Sequence, residues 1–261
     1  MTCLIGRRAR TVDASSRAKR DSAGPRWRRA RRRLLLLGAV AAGLIVAFFA
    51  MGAAYVATLP RVGDAEQRAH RILALHHGTY AGPQPAVRLG DAVVAVEDEH
   101  FYANFLINIL DGAGRAALAA LDDGHDPGGS TIAQQLAKQL YGHGTGLAAT
   151  LHDIGLGIKL SLEYPKPQIL DMYLNAVYYG HGYWGDAAAA RGYFGATPTA
   201  LDWAQAAMLA GLPVAPSTYD PLVHYALAKH RQRHVLDQLV VNHYLTAAQA
   251  NAAYAEPLGL R

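Results

Sequence analysis

The chain has 261 residues, 51% of them hydrophobic and 17% charged, with a formal net charge of +5 at neutral pH. That length suits one sizeable folded domain plus an appendage and excludes two large domains. Residues 1–33 carry twelve Arg or Lys against Asp13 and Asp21, a net +10, so the rest of the chain is net −5. The basic balance therefore belongs to the tail and argues for no nucleic-acid partner.

Positions 34–59 carry no charge at all (LLLLGAVAAGLIVAFFAMGAAYVATL), and Pro60 follows. As a helix rising about 1.5 Å per residue this run reaches roughly 39 Å, enough to cross a hydrocarbon core of about 30 Å. The apolar region of a cleaved signal peptide has about 7–15 residues, so an uncleaved anchor is expected. Arg26, Arg28, Arg29, Arg31, Arg32 and Arg33 stand before it. By the positive-inside rule they put the N-terminus in the cytoplasm and everything after Arg61 outside the inner membrane. Cys3 is the only cysteine and falls in the tail, so the exported part is expected to stand without an intrachain disulfide.

Residues 60–90 read as a linker with a helix over 65–75 and a Gly/Pro-containing stretch after it. Residues 91–261 read as the main domain, mainly α. Helical spacing or helix boundary signals mark 91–103, 130–140, 147–164, 166–178, 185–194, 199–210, 226–245 and 246–254. Pro167 suits a helix first turn, and Thr246 with Gln249 makes a capping box. Gly and Pro cluster as a loop over 211–221. Neither period-2 alternation nor an internal repeat stands out.

Two segments carry chemistry. In the first, the apolar run 93–96 leads straight into Glu97-Asp98-Glu99-His100-Phe101-Tyr102. A glutamate at the end of such a run is partly desolvated, which makes it a better proton acceptor near neutral pH. A solvated acidic turn capped by Phe101 and Tyr102 is the competing reading. The second segment, 128–138, reads Gly-Gly-Ser-Thr-Ile-Ala-Gln-Gln-Leu-Ala-Lys. Ser130 or Thr131 can cap a helix whose free N–H groups favour an anion. Ser130, Gln134 and Lys138 are spaced i, i+4, i+8 along one polar face, while Ile132, Leu136 and Leu140 form a face that can be buried. The competing reading is an ordinary capped amphipathic helix.

The eleven-residue string 128–138 resembles the second signature of the peptidoglycan glycosyltransferase (transglycosylase) family, glycosyltransferase family 51. Glu97, Asp98, Phe101, Tyr102 and the pair Arg115-Ala116 match its first signature. Similarity continues through 169–175, with Asp171 where the family usually has Glu, then 193–195 and 209–217. The chain resembles a monofunctional biosynthetic transglycosylase. The resemblance implies a lysozyme-like, two-lobed α domain that polymerises lipid II and releases undecaprenyl pyrophosphate. It implies Glu97 as the base that takes the acceptor hydroxyl's proton. Asp98, Phe101, Arg115, Ser130, Thr131, Gln134, Gln135 and Lys138 are then substrate-binding, with Lys138 and Arg115 on the phosphate side. Its partners would be lipid II, the growing glycan strand, membrane lipid and other cell-wall synthesis proteins. The segments 169–175 and 209–217 read as structural: Leu170, Tyr173, Leu174 and Val177 form a buried stripe, and Gly211-Leu212-Pro213 stops a helix.

Departures from the family's pattern leave a second reading open. Asn104 stands for His and Leu106 for Gly, and the segment before Arg115 is one residue longer. The family's third signature opens Arg-Lys, two residues, Glu, and ends at a Leu-Glu that matches Leu162-Glu163. Here Leu151 and His152 replace the basic pair and Gly155 replaces the glutamate. Asp153 cannot substitute, because two residues turn a side chain about 200° around a helix. Arg191 and His152 remain to restore positive charge. An active enzyme is one reading, and a weakened or inactive relative that binds lipid II as a scaffold is the other. A lysozyme-like hydrolase using Glu97 is a third, though it has no use for a pyrophosphate cradle. About sixteen residues follow Leu245, so no penicillin-binding domain is expected. None of the twelve histidines falls at metal-ligand spacing: His76-His77 point apart and His230 with His234 lie on a surface helix. No cofactor is required by these residues, and a divalent cation bridging the substrate pyrophosphate stays open.

Overall fold

The computed structural model describes residues 24–78, 80, 86–103, 130–142 and 144–261. Most of the basic tail with Cys3, and the segment holding Asn104, Leu106, Arg115, Ala116 and the glycines at 128 and 129, lie outside the described residues. Two compact units divide the chain, Met1–Tyr55 and Val56–Arg261.

The first unit is dominated by α1 (Gly24–Thr58). It starts before the charge-free span and takes in Arg28, Arg31, Arg32 and Arg33, straight-chain residues that sit well in a helix. Its stretch Ala30–Thr58 has a mean hydropathy of 2.6, is long enough to cross a membrane, and is not buried against protein. An apolar helix exposed on every face suits lipid, where its backbone bonds are satisfied internally, and not water.

In the second unit follow α2 (Ala65–Leu75), α3 (Val87–Glu97), α4 (Ile132–Tyr141), α5 (Leu147–Glu163), α6 (Lys166–Ala176) and α7 (Asp186–Phe194). A short 3₁₀ turn (Pro198–Ala200) then leads to α8 (Trp203–Ala210), α9 (Tyr225–Val241) and α10 (Ala247–Ala255). Among the described residues there is no strand, only an isolated antiparallel bridge between Tyr178 and Trp184. The unit is mainly α, as expected.

Local signals explain most of these elements. Thr131, Asp202 and Thr246 each cap a helix in a reciprocal capping box with a glutamine three residues on, satisfying end groups the helix cannot satisfy itself. Pro165 and Pro167 open α6, and Gly211 closes α8. The stripes Ile132–Leu136–Leu140 on α4 and Leu170–Tyr173–Leu174 on α6 are buried, and so is Val177 just past the end of α6.

Three of the expected helices differ in extent. Helix α3 starts earlier than position 91, because Leu89 and Gly90 face the core and a Cβ on Gly90 would already touch Leu170 at 3.2 Å. It ends at Glu97 because Asp98 turns out of the helix (φ −157°, ψ 76°), leaving 98–103 as turns. The expected helix 199–210 is split, since Asp202 restarts it with its own cap. The expected helix 226–245 stops at Val241, where His243 takes a left-handed conformation (φ 62°) and Tyr244 and Leu245 fold back onto the Leu239 carbonyl.

The described residues of the stretch 60–90, expected as a linker with one helix, pack into the folded unit. Leu59, Val62, Ala65 and Ala69 are members of the buried core, and α2 packs against α6. Burying that apolar face costs the solvent-exposed freedom a linker would keep. Packing gathers α2, α4, α5 and α6 into one group of helices and α3, α8, α9 and α10 into another, with α7 touching both.

Candidate active site

Glu97 is the last residue of α3, behind the buried run Val93, Val94 and Ala95. Anchored by those apolar side chains, its carboxylate reaches the seam between the two helix groups and is 11% exposed. Its Oε2 accepts a hydrogen bond from Gln135 Nε2 of α4 at 2.8 Å. The carbonyl Oε1 of Gln135 accepts from the Tyr173 hydroxyl of α6 at 2.9 Å. Burial, reinforced by Glu97, pushes the Tyr173 phenol well above its ordinary pKa, so it stays a donor. That fixes the glutamine amide with its NH₂ toward the carboxylate. From the other helix group, Arg231 Nη2 of α9 lies 3.7 Å from Glu97 Oε1.

Asp98 is 1% exposed, and its Oδ2 accepts from the backbone N–H of Ile132, the first residue of α4, at 3.1 Å. Thr131 N donates to Gln134 Oε1 at 3.1 Å, and Gln134 N donates to Thr131 Oγ1 at 3.3 Å. The start of α4 favours an anion, and the protein supplies that anion itself in Asp98. Ser130 precedes the cap and is not in α4, so it does not continue the face of Gln134 and Lys138 as the spacing implied. Lys138 is exposed on that face, one turn after Gln134.

Phe101 is fully buried, meets Tyr102 edge-on at 5.0 Å and carries the Lys166 ammonium 4.7 Å over its ring. Burial lowers the Lys166 pKa, and the nearby Asp98 charge opposes that shift. The structure thus brings Glu97, Asp98, Phe101, Thr131, Gln134 and Gln135 together, while Arg115 lies outside the described residues.

Arg231, Tyr173 and Lys166 escaped the sequence reading. Tyr173 is buried, as its place in the stripe required, and yet its hydroxyl joins the Glu97 network. For Arg231 the only signal is its place beside the apolar positions Ala228, Val235 and Leu236 of α9, in the run Lys229–His234.

Helix α5 lies against α4. A Cβ on Gly157 would meet Gln134 at 2.9 to 3.1 Å, backbone included, so a glycine is needed for that approach. Gly155 is buried in the same helix, Leu151 is exposed, and His152 and Asp153 are half-buried. Among the described residues no group of His, Cys, Asp and Glu could hold a metal ion. This arrangement offers a shielded carboxylate, a cation that favours its ionised form, an oriented amide, and a lysine one turn along α4. A carboxylate so held can take a proton from a bound hydroxyl.

Residues 80–240 match the transglycosylase family. The chain is 37% identical over 174 residues to a Cupriavidus necator protein provisionally named a transglycosylase, an alignment covering 66% of this chain and 75% of that one. It is 34% identical over 255 residues to penicillin-binding protein 2a of Streptococcus pneumoniae, covering 92% of this chain and 34% of that protein. Penicillin-binding protein 1A of Neisseria gonorrhoeae is 37% identical over 182 residues, 69% of this chain and 23% of the other. The chain thus spans about a third of the length of the pneumococcal relative and less of the gonococcal one.

Proposed function

The chain belongs to the transglycosylase family, and from that premise we propose that it polymerises lipid II into glycan strands, anchored by α1 with its N-terminus in the cytoplasm. Glu97 accepts the proton of the acceptor sugar's 4-hydroxyl as that oxygen bonds the anomeric carbon of the lipid-linked donor. The bond from that carbon to the pyrophosphate breaks, and undecaprenyl pyrophosphate leaves with the electron pair. One carboxylate and no covalent intermediate invert the anomeric centre. Lys138, with Arg115, meets the charge on the departing group. Asp98 holds the turn after Glu97 against α4, Phe101 anchors the same turn beneath Lys166 of α6, and the Thr131–Gln134 box keeps α4 in register, so these side chains shape the donor side. A divalent cation on the pyrophosphate would come with the substrate.

The observation that carries this reading is Glu97 set in the seam between two helix groups, with Gln135 and Arg231 on its two oxygens. Purified protein given labelled lipid II should yield glycan polymer. Glu97→Gln should cut that yield by about 10²–10⁴-fold, since an amide cannot take the proton, while lipid II binding survives. Wild-type polymerisation by the variant would remove Glu97 from the chemistry.

A second reading, a lipid II-binding scaffold with little turnover, is favoured by Gly155 and by the exposed Leu151, which stand where the family carries a carboxylate and a cation. Binding of lipid II without polymer from wild type would select it.

A further inference from the structure

We propose that Arg231 of α9 is a positioning residue for Glu97, holding the carboxylate ionised and aimed into the seam from the side opposite Gln135. This rests on the general-base reading of Glu97. The side chains of the pair are only 18% and 11% exposed, so water screens the attraction far less than at a surface. The guanidinium is itself held, with Nε donating to the Gly211 carbonyl at 3.3 Å. Its stem runs over the bare backbone of Gly211, where a Cβ would come within 2.8 Å of Arg231 Cγ. The glycine that stops α8 therefore also opens the path by which Arg231 reaches Glu97. At the far end of α9 its cap residue Asn242 also ties it to α3, Nδ2 donating to the Ala95 carbonyl at 3.3 Å. Gln232, fully buried beside Arg231, donates to the Ala204 carbonyl of α8 at 2.7 Å.

Several other groups titrate or carry charge nearby. Asp98 follows Glu97 and points its carboxylate to α4. Lys166 of α6 sits over Phe101, and Tyr173 of α6 is held neutral by burial. On α9, His234 is lowered first by burial and then by Arg231 itself, and His230 is exposed. Glu99 and His100 face each other at the surface, 3.9 Å apart. Of these, Arg231 is the cation at ion-pair distance from Glu97. A cation there favours the carboxylate form, the form that accepts a proton. An opposite charge this close typically moves a carboxyl's titration by about 1–3 pH units.

The test is the pH profile of lipid II polymerisation by the full-length protein in detergent, from pH 5 to 9. Arg231→Met keeps the stem and removes the charge. Its acid limb should move up by about 1–3 pH units, a loss of about tenfold or more on the acid side that recovers toward wild type at alkaline pH. Arg231→Lys should leave the limb near its wild-type place. Gly211→Ala, which crowds the stem and keeps the charge, should shift it in the same direction but less. A pH-independent loss in Arg231→Met, or equal impairment in Arg231→Lys, reduces Arg231 to a structural role and overturns the proposal. If thermal melts show Arg231→Met unfolded, the Gly211→Ala profile decides, and an unmoved limb there overturns it. Wild-type activity in Glu97→Gln, or no polymer from wild type, removes the general-base reading beneath it. An inactive Glu97→Gln beside an unshifted Arg231→Met profile removes the Arg231 role alone.

Discussion

Asp186, the first residue of α7, is 3% exposed, and its Oδ1 has no hydrogen-bond partner among the described residues. Burial, the largest cause, and the charge of Asp171 push its carboxyl up from 3.8 to about 6, against the pull of backbone N–H groups. The folded state therefore binds this proton more tightly than the unfolded chain. Its stabilising contribution is complete below about pH 3.8 and is lost as pH rises through about 6, roughly 3 kcal/mol in all. Asp186→Asn, neutral at every pH, should melt above wild type at pH 7.5 and close to it at pH 4. Thermal melts across that range check this, and a difference that stays flat with pH would sink it. Glu97 was legible at this scale because an apolar run ending in a carboxylate is a pattern along the chain. Its partner Arg231 was not, because its place beside Ala228, Val235 and Leu236 marks it as half-buried without saying which group on another helix it meets.

Helices α4 and α5 meet where the amino-acid pattern is most informative and also most altered. The cap of α4 is a local device of Thr131 and Gln134, and it could be read from the chain. The neighbour of that cap could not, because Gly157 comes close only through the crossing of two helices. Gly157→Ala puts a methyl within 3.1 Å of the Gln134 backbone, which cannot yield as a side-chain end can. The substitution should destabilise the domain by about 1–3 kcal/mol, although alanine is the better helix former. Urea denaturation checks the sign, and a gain in stability would show that α5 gives way freely. Displacing Gln134 also displaces Gln135, so polymerisation should fall with stability.

For the whole molecule, the charge-free helix and its preceding arginines set the expected membrane arrangement. A reporter active only outside the cytoplasm, fused after Arg261, should be active, and deleting 34–59 should free the protein from the membrane. Activity of a cytoplasm-only reporter at the same junction would reverse the topology. The folded unit takes in α2, which the sequence reading left in a linker before position 91. The unit runs from Val56, because α2 has apolar positions that bury against α6.

The chain by itself determined what depends on neighbours a few residues apart: the membrane-length helix, the mainly α class, the capped start of α4, the buried stripes and Glu97 at the end of its run. Periodicity and capping are short-range, so the order of residues contains them. Only the tertiary structure decided which groups meet across the seam. Asp98 takes the α4 terminus from 34 residues away, and Gln135 reaches Glu97 and Tyr173 across 38 residues each. Arg231 comes from another helix altogether. Those meetings follow from how helices cross and from where glycine lets them approach, and no spacing along the chain encodes a crossing.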